Sequence, residues 1–197
     1  AGFGFVPEYW DFLGKASFKL NQTDQLTFLG IAALNNVKWF NDTQEQRNSN
    51  SQVLGSDQQQ IVAGVSYQHL LNSGLFTVAL SQVNVDYDFN QKNTNLEPIF
   101  QNVSHDRQTS LKADGVWRLN RNLRLSAGAK LNRTDFYSDM LLNQEDVPGI
   151  GTLRVEQEYS TIGYKSGAYA QLAQRFFRLN YTAGIRVDHY SILEAAP

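Results

Sequence analysis

From Leu179 to Asp188 the chain alternates without a break: Leu179, Tyr181, Ala183, Ile185 and Val187 are apolar, while Asn180, Thr182, Gly184, Arg186 and Asp188 are polar or glycine. A period of two sends successive side chains to opposite faces, so the segment predicts a strand with one oily and one wet face. Leu123, Leu125, Ala127, Ala129 and Leu131 alternate in the same way with Arg124, Ser126, Gly128, Lys130 and Asn132. Leu111, Ala113, Gly115, Trp117 and Leu119 do so with Ser110, Lys112, Asp114, Val116 and Arg118. Weaker alternation runs from Phe12 to Leu20 and from Ile61 to Leu71. Between Leu75 and Phe89 only the upper half keeps the rhythm, with Val83, Val85, Tyr87 and Phe89 against Gln82, Asn84, Asp86 and Asp88. Below it, Phe76, Val78 and Leu80 put oil on the wet face, and Leu26 to Trp39 is apolar on both faces around Ile31 and Ala33.

Eight strands are expected in all, over about 12–20, 25–39, 58–71, 75–89, 107–119, 123–137, 161–174 and 177–191. Their connections are short and long in strict alternation. Short turns fall at Asn21 to Asp24, Asn72 to Gly74, Asn120 to Asn122 and Arg175-Phe176, and long loops at about 40–57, 90–106 and 138–160. The repeating unit is therefore a hairpin followed by a long loop, with hairpins over about 12–39, 58–89, 107–137 and 161–191, which marks an up-and-down meander. Pro7, Pro98, Pro148 and Pro197 all lie outside these segments, where a residue without N–H disturbs no ladder. Asn41 to Ser51 contains no apolar side chain and is expected to be solvated.

Several function classes are disfavoured by composition. The 17 Lys and Arg nearly balance the 19 Asp and Glu, no basic run occurs, and nucleic acid is not an expected partner. With no cysteine, thiolate chemistry and cysteine metal sites are excluded. The longest apolar or glycine run, Phe28 to Leu34, is far shorter than the ~20 residues of a membrane-spanning helix. The opening Ala1-Gly2-Phe3-Gly4 has neither a leader nor an initiating Met, so the chain reads as a segment of something longer or as a processed product.

Three details point to an outer membrane. Most expected strands run 13 to 15 residues, against the 5 or 6 usual in soluble proteins and the ~9–11 that a tilted membrane strand needs, so they are long enough to cross and protrude. Short turns segregate to one edge and long loops to the other, as vectorial insertion into a bilayer leaves them. Aromatics gather near strand ends, including Trp10, Trp39, Trp117, Tyr159, Tyr164 and Tyr190, as interfacial rings do. A sheet in lipid must close, because an open edge leaves unpaired N–H and C=O groups costing several kcal/mol each. The expected fold is all-β, an antiparallel up-and-down transmembrane β-barrel filling 1–197, with membrane lipid as a partner and the bacterial outer membrane as its location.

The segment Gly167-Ala168-Tyr169-Ala170-Gln171-Leu172, a short turn, and Leu179 to Tyr190 resemble the paired-strand signature of TonB-dependent outer-membrane receptors, in which a GAYAQ-like strand precedes an AGIRxDxY-like one. Phe12 to Leu20 followed by Leu26-Thr27-Phe28 resembles an earlier barrel hairpin of that family. The resemblance implies a 22-stranded barrel closed by a plug domain, importing a scarce ligand such as siderophore-iron, cobalamin or a glycan with energy supplied through TonB. No plug and no TonB-box segment is recognisable here, so the chain is expected to be about eight strands of that barrel, with plug and TonB lying outside it. Two alternatives stay open: a complete eight-stranded outer-membrane barrel acting as an adhesin or anchor, in which the first strand pairs with the last, and a soluble β-barrel binding an apolar ligand.

No motif calls for catalysis, a cofactor or a metal. His69, His105 and His189 have no metal-ligand spacing, and no Gly-x-Ser-x-Gly elbow occurs. The acidic residues Glu145, Asp146, Glu156 and Glu158 lack calcium-loop spacing and are expected to be solvated. Contacts with a small-molecule or oligosaccharide ligand, or with a plug, are expected on the inner wall at Lys130, Arg186 and Asp188, with the loop aromatics Phe40, Phe100 and Tyr159 as further candidates.

Overall fold

A computed structural model describes residues 4–147 and 151–194. The elements are β1 (Phe5–Lys19), β2 (Asp24–Trp39), α1 (Gln44–Asn50), β3 (Gly55–Leu71), β4 (Gly74–Lys92), β5 (Pro98–Arg118), β6 (Leu123–Val147), β7 (Gly151–Phe176) and β8 (Leu179–Glu194). The strands form a single eight-stranded sheet in sequence order, every neighbouring pair antiparallel. Among the described residues β1 and β8 do not pair, so the sheet is open and the self-closing barrel loses the pairing it requires.

A single sheet has no second layer to bury its oil. Among the described residues no hydrophobic side chain is buried. The surface of 14176 Å² compares with about 9,400 Å² for a soluble monomer of this mass. Exposed apolar side chains occur on both faces of the sheet, but one face carries them as a continuous band, and an uncovered patch of that extent marks a membrane or partner surface.

The register defines that face. Phe28 stands opposite Val65, Val65 opposite Leu80, Leu80 opposite Leu111, and Leu111 opposite Leu131. On β2 the outward apolar stretch is Leu26–Leu34, on β6 Leu123–Leu131, and on β8 Leu179–Val187. Stretches of this length, at about 3.3 Å per residue and the tilt barrels require, climb about 20 Å, close to the height of an outer-membrane apolar band. These stretches are the membrane-spanning segments.

Above the band the outward face turns polar, and this resolves the irregular rhythm of β4. Phe76, Val78 and Leu80 point outward into lipid. Gln82, Asn84 and Asp86 share that same face, opposite Thr109, Arg107 and His105. Val83, Val85 and Tyr87 accordingly turn inward. The strand never slips; its surroundings change.

The stretches 90–106 and 138–160 are largely strand rather than long loops, since β5 begins at Pro98 and β6 and β7 approach each other as far as Val147 and Gly151. Beyond lipid neither face needs an apolar stripe, so the alternation that marks a strand fades while the ladder continues. The asymmetry between the two ends is thus carried chiefly by strand extension. Pro7 lies inside β1, opposite Val37. The Val37 N–H donates to Asp57 Oδ1 at 2.7 Å on the far side, so Pro7 occupies a pair without mutual hydrogen bonds, where its missing donor costs nothing. Pro98 starts β5; Pro148 and Pro197 lie outside the described residues.

The connection from β2 to β3 is ordered. Thr43 caps α1: its hydroxyl accepts from the Gln46 N–H at 3.3 Å, and the Gln46 side chain accepts from the Thr43 N–H at 3.1 Å. Asn50, expected to be solvated, is 8% exposed. Its Nδ2 donates to Gly4 O and Phe40 O, both at 2.9 Å, and to Asn41 Oδ1 at 2.8 Å.

Candidate functional site

The three inner-wall residues chosen from sequence line one concavity of about 180 Å³ on β5 to β8, together with Lys112, Asp114, Asn132, Lys165 and Tyr169. Strand pairing builds it row by row. Lys112 stands opposite Lys130, Lys130 opposite Gly167, and Gly167 opposite Asp188. In the next row Asp114, Gly128, Tyr169 and Arg186 face one another in turn.

The two glycines make room for what lies across them. A Cβ at Gly128 would meet Tyr169 Cε1 and Asp114 Oδ1, each at 2.6 Å, and one at Gly167 would meet Asp188 Oδ1 at 2.5 Å. Tyr169 therefore lies over Gly128 and donates to Asp114 Oδ1 at 3.0 Å. This is the aromatic cover that strand glycines invite.

Charge is arranged unevenly. Lys112 Nζ lies 2.8 Å from Asp114 Oδ2, and Arg186 holds Asp188 with two donors, Nε at 2.7 Å and an Nη at 2.9 Å. Both carboxylates are thus engaged. Lys130 and Lys165 have no ion pair among the described residues, and Lys165 Nζ lies 4.8 Å from the centre of the Tyr190 ring. Asn132 is 8% exposed, and its Oδ1 has no hydrogen-bond partner. The concavity thus offers two ammonium groups without an ion pair among the described residues beside an unused acceptor, a combination that suits an anionic group carrying a donor.

The same bias extends over the whole inner face of the described strands. Lys15, Lys19, Lys112, Arg118, Arg124, Lys130, Lys165, Arg175 and Arg186 share it with Asp11, Asp106, Asp114 and Asp188. The outward face above the lipid band is acidic, carrying Glu8, Asp57, Asp86, Asp88, Asp135, Asp139, Glu156 and Glu158 against Lys38, Arg107, Arg133 and Arg154. A net charge of −2 conceals two faces of opposite sign.

Phe40, Phe100 and Tyr159 are not brought together at this concavity. Phe40 carries Lys38 Nζ 5.8 Å above its ring, Phe100 lies in β5, and Tyr159 lies in β7 with its ring 6.2 Å from that of Phe136. Sequence reasoning passed over Lys165 and Tyr169; the parity of β7, counted from Gly167, was the signal that would have found them. Glu156 pairs with Arg154. The side chains of Glu145 and Asp146 lie outside the described set. Among the described residues no three His, Asp or Glu side chains cluster as a metal site.

Residues 54–195 match the outer membrane protein β-barrel family, and the chain belongs to it. The band, the coreless sheet and this match place it in the bacterial outer membrane. No curated protein matches the chain. Among solved structures it is similar to the copper transporter OprC, with a TM-score of 0.69 at 10% identity over 97% of this chain and 30% of that one. It is similar to P. aeruginosa FpvA bound to heterologous pyoverdines, with a TM-score of 0.76 at 14% identity over 99% and 32%. FpvAI in complex with pyocin S2 gives 0.74 at 14% identity over the same shares. The chain spans about a third of the length of these proteins. The fold is that of part of a larger outer-membrane barrel.

Proposed function

We propose that this chain is a wall of an outer-membrane importer that takes up a scarce small molecule, siderophore-iron, cobalamin or a glycan, with energy supplied through TonB, and that Lys130, Arg186 and Asp188 meet the ligand or the plug. The observation that carries this reading is the concavity between β5 and β8, where Lys130 and Lys165 stand without an ion pair among the described residues, beside the unused Asn132 acceptor. A wall serving only to hold the barrel open gains nothing from burying an unpaired amide oxygen, which costs on the order of 1–3 kcal/mol. The fold likeness to a copper transporter and a pyoverdine-bound receptor supports the same reading.

The test is uptake in the bacterium of origin. Removal of the gene should abolish accumulation of one among radiolabelled ferric siderophore, cobalamin and oligosaccharide, loss of TonB should do the same, and Lys130→Gln should reduce it. Undiminished uptake of all three in the deletion strain overturns the proposal.

A further inference from the structure

The connection from β2 to β3 is tied to the end of β4 by Gln91, whose Nε2 donates to Ser51 O at 2.8 Å. Between the two lies a cavity of about 110 Å³, walled in part by Trp39, Asn41, Arg47, Asn90 and Lys92. Gly55 stands opposite Asn90 across the β3–β4 ladder. A Cβ at Gly55 would meet Trp39 Cζ2 at 2.9 Å and Asn90 Oδ1 at 3.0 Å, so an indole and an amide converge over one bare backbone position. Phe5 braces the indole from β1, with ring centres 5.4 Å apart.

Most acceptors around this cavity are spent on its own frame. Arg47 Nε donates to Asn41 O at 2.9 Å, and Asn50 Nδ2 donates to Phe40 O at 2.9 Å and to Asn41 Oδ1 at 2.8 Å. Donors are left over. Among the described residues the Arg47 Nη groups, Lys92 Nζ and Asn41 Nδ2 have no hydrogen-bond or ion-pair partner, and no acidic side chain lines the cavity. Glu97, in the turn that follows β4, accepts instead from Asn93 Nδ2 at 2.8 Å.

We infer that this cavity binds one residue of a carboxylated saccharide at the extracellular surface, since outer-membrane barrels carry their short turns on the periplasmic side and the cavity lies at the opposite end. Arg47 and Lys92 call for an anion, and a guanidinium pinned through Nε turns its free edge to a carboxylate. A bare phosphate would answer the charge and leave Trp39 without a role. A pyranose carries an apolar C–H face that lies against an indole, and hydroxyls that accept from amide and ammonium groups. The volume is well below the ~300 Å³ at which pockets for drug-sized ligands begin, which leaves room for one ring with its neighbours in solvent. The inference deepens the importer reading by naming an acidic saccharide as what is captured, and rests on that reading only for the step after capture.

The probes are the trisaccharides of galacturonate, glucuronate and mannuronate, followed by surface plasmon resonance on the full-length protein extracted from outer membranes in an uncharged detergent. At least one should bind, and its counterpart with the carboxyl groups reduced to alcohols should bind about tenfold more weakly or worse. Arg47→Gln should weaken binding of the acidic form to a similar extent. Lys92→Gln removes an exposed side chain with no partner among the described residues, so the severalfold loss expected of it is not a folding effect. Arg121→Gln, in the short turn between β5 and β6, should bind as the parent does. Failure of all three trisaccharides, equal binding of the reduced form or by Lys92→Gln, or displacement by inorganic phosphate or 2,3-dihydroxybenzoate at equal concentration overturns the inference. Binding is read here without transport, so loss of the importer reading and loss of this inference are separate results.

Discussion

Tyr169 rests on Gly128, and its hydroxyl reaches past that glycine to Asp114 at 3.0 Å. The contact links three strands through one ring and fixes the carboxylate that neutralises Lys112. A methyl group at position 128 would occupy the place of the ring edge.

Gly128→Ala should therefore destabilise the protein by about 1–3 kcal/mol, the usual cost of forcing a side chain from a packed position. Gly14→Ala provides the contrast, because nothing lies within 4 Å of its added Cβ; that variant should be neutral or slightly stabilising. Urea unfolding in lipid vesicles measures both.

The assignment of faces is open to a paired test at adjacent positions. Ala129 points into the apolar band and Lys130 away from it. Ala129→Arg should cost about 2–4 kcal/mol, as arginine does near the middle of a bilayer. Lys130→Ala should change stability by less than about 0.5 kcal/mol. Similar losses in both variants would contradict the register.

Asn50 closes the β2–β3 connection onto the start of β1 through its contacts with Gly4 and Phe40. Asn50→Ala leaves those acceptors without their buried donor and should weaken the local structure by about 1–3 kcal/mol. Amide exchange over residues 40–54 should accelerate while exchange in β5 and β6 stays unchanged.

Asp24 lies at the turn end of β2, below the apolar band. Hydrogen bonds from Tyr67, then His69 with its Nδ1 at 2.5 Å, then Asn21, hold its carboxyl well below the usual carboxylate range. A carboxyl depressed in the folded state adds stability above its unfolded value, near 3.8, and loses that contribution as pH falls through the folded one. Asp24→Asn should thus unfold at a lower temperature than the parent at pH 7, and the gap should narrow between pH 5 and pH 3. A gap that stays constant across this range would contradict the assignment.

What could be read from the sequence follows the position of the lipid. Within the band one face must be oily, and Leu123–Leu131 and Leu179–Val187 announce their strands through a period of two. Above it the requirement lapses. Met140, Leu141 and Leu142 in β6 and Val155 in β7 carry no such stripe, and their strands read as loop. Phe5 to Asp11 escaped for the same reason, with Pro7 placed where the ladder does not need it. Lys130, Arg186 and Asp188 were found together because wet-face residues at matching heights must meet once hairpin register is set. Gly128 and Gly167 were read only as wet-face spacers, since their worth depends on neighbours two strands away.

The two faces of this sheet meet different solvents, and that constrains how the gene can change length. Deleting one residue from β6 below Leu131 would turn Arg124 or Lys130 toward the acyl chains and Ala127 or Ala129 toward the lumen. Deleting two restores the parity. Lineages of this wall should therefore gain or lose residues in even numbers inside the band and in any number around α1, so that the thickness of the membrane is recorded in the spacing of tolerated insertions.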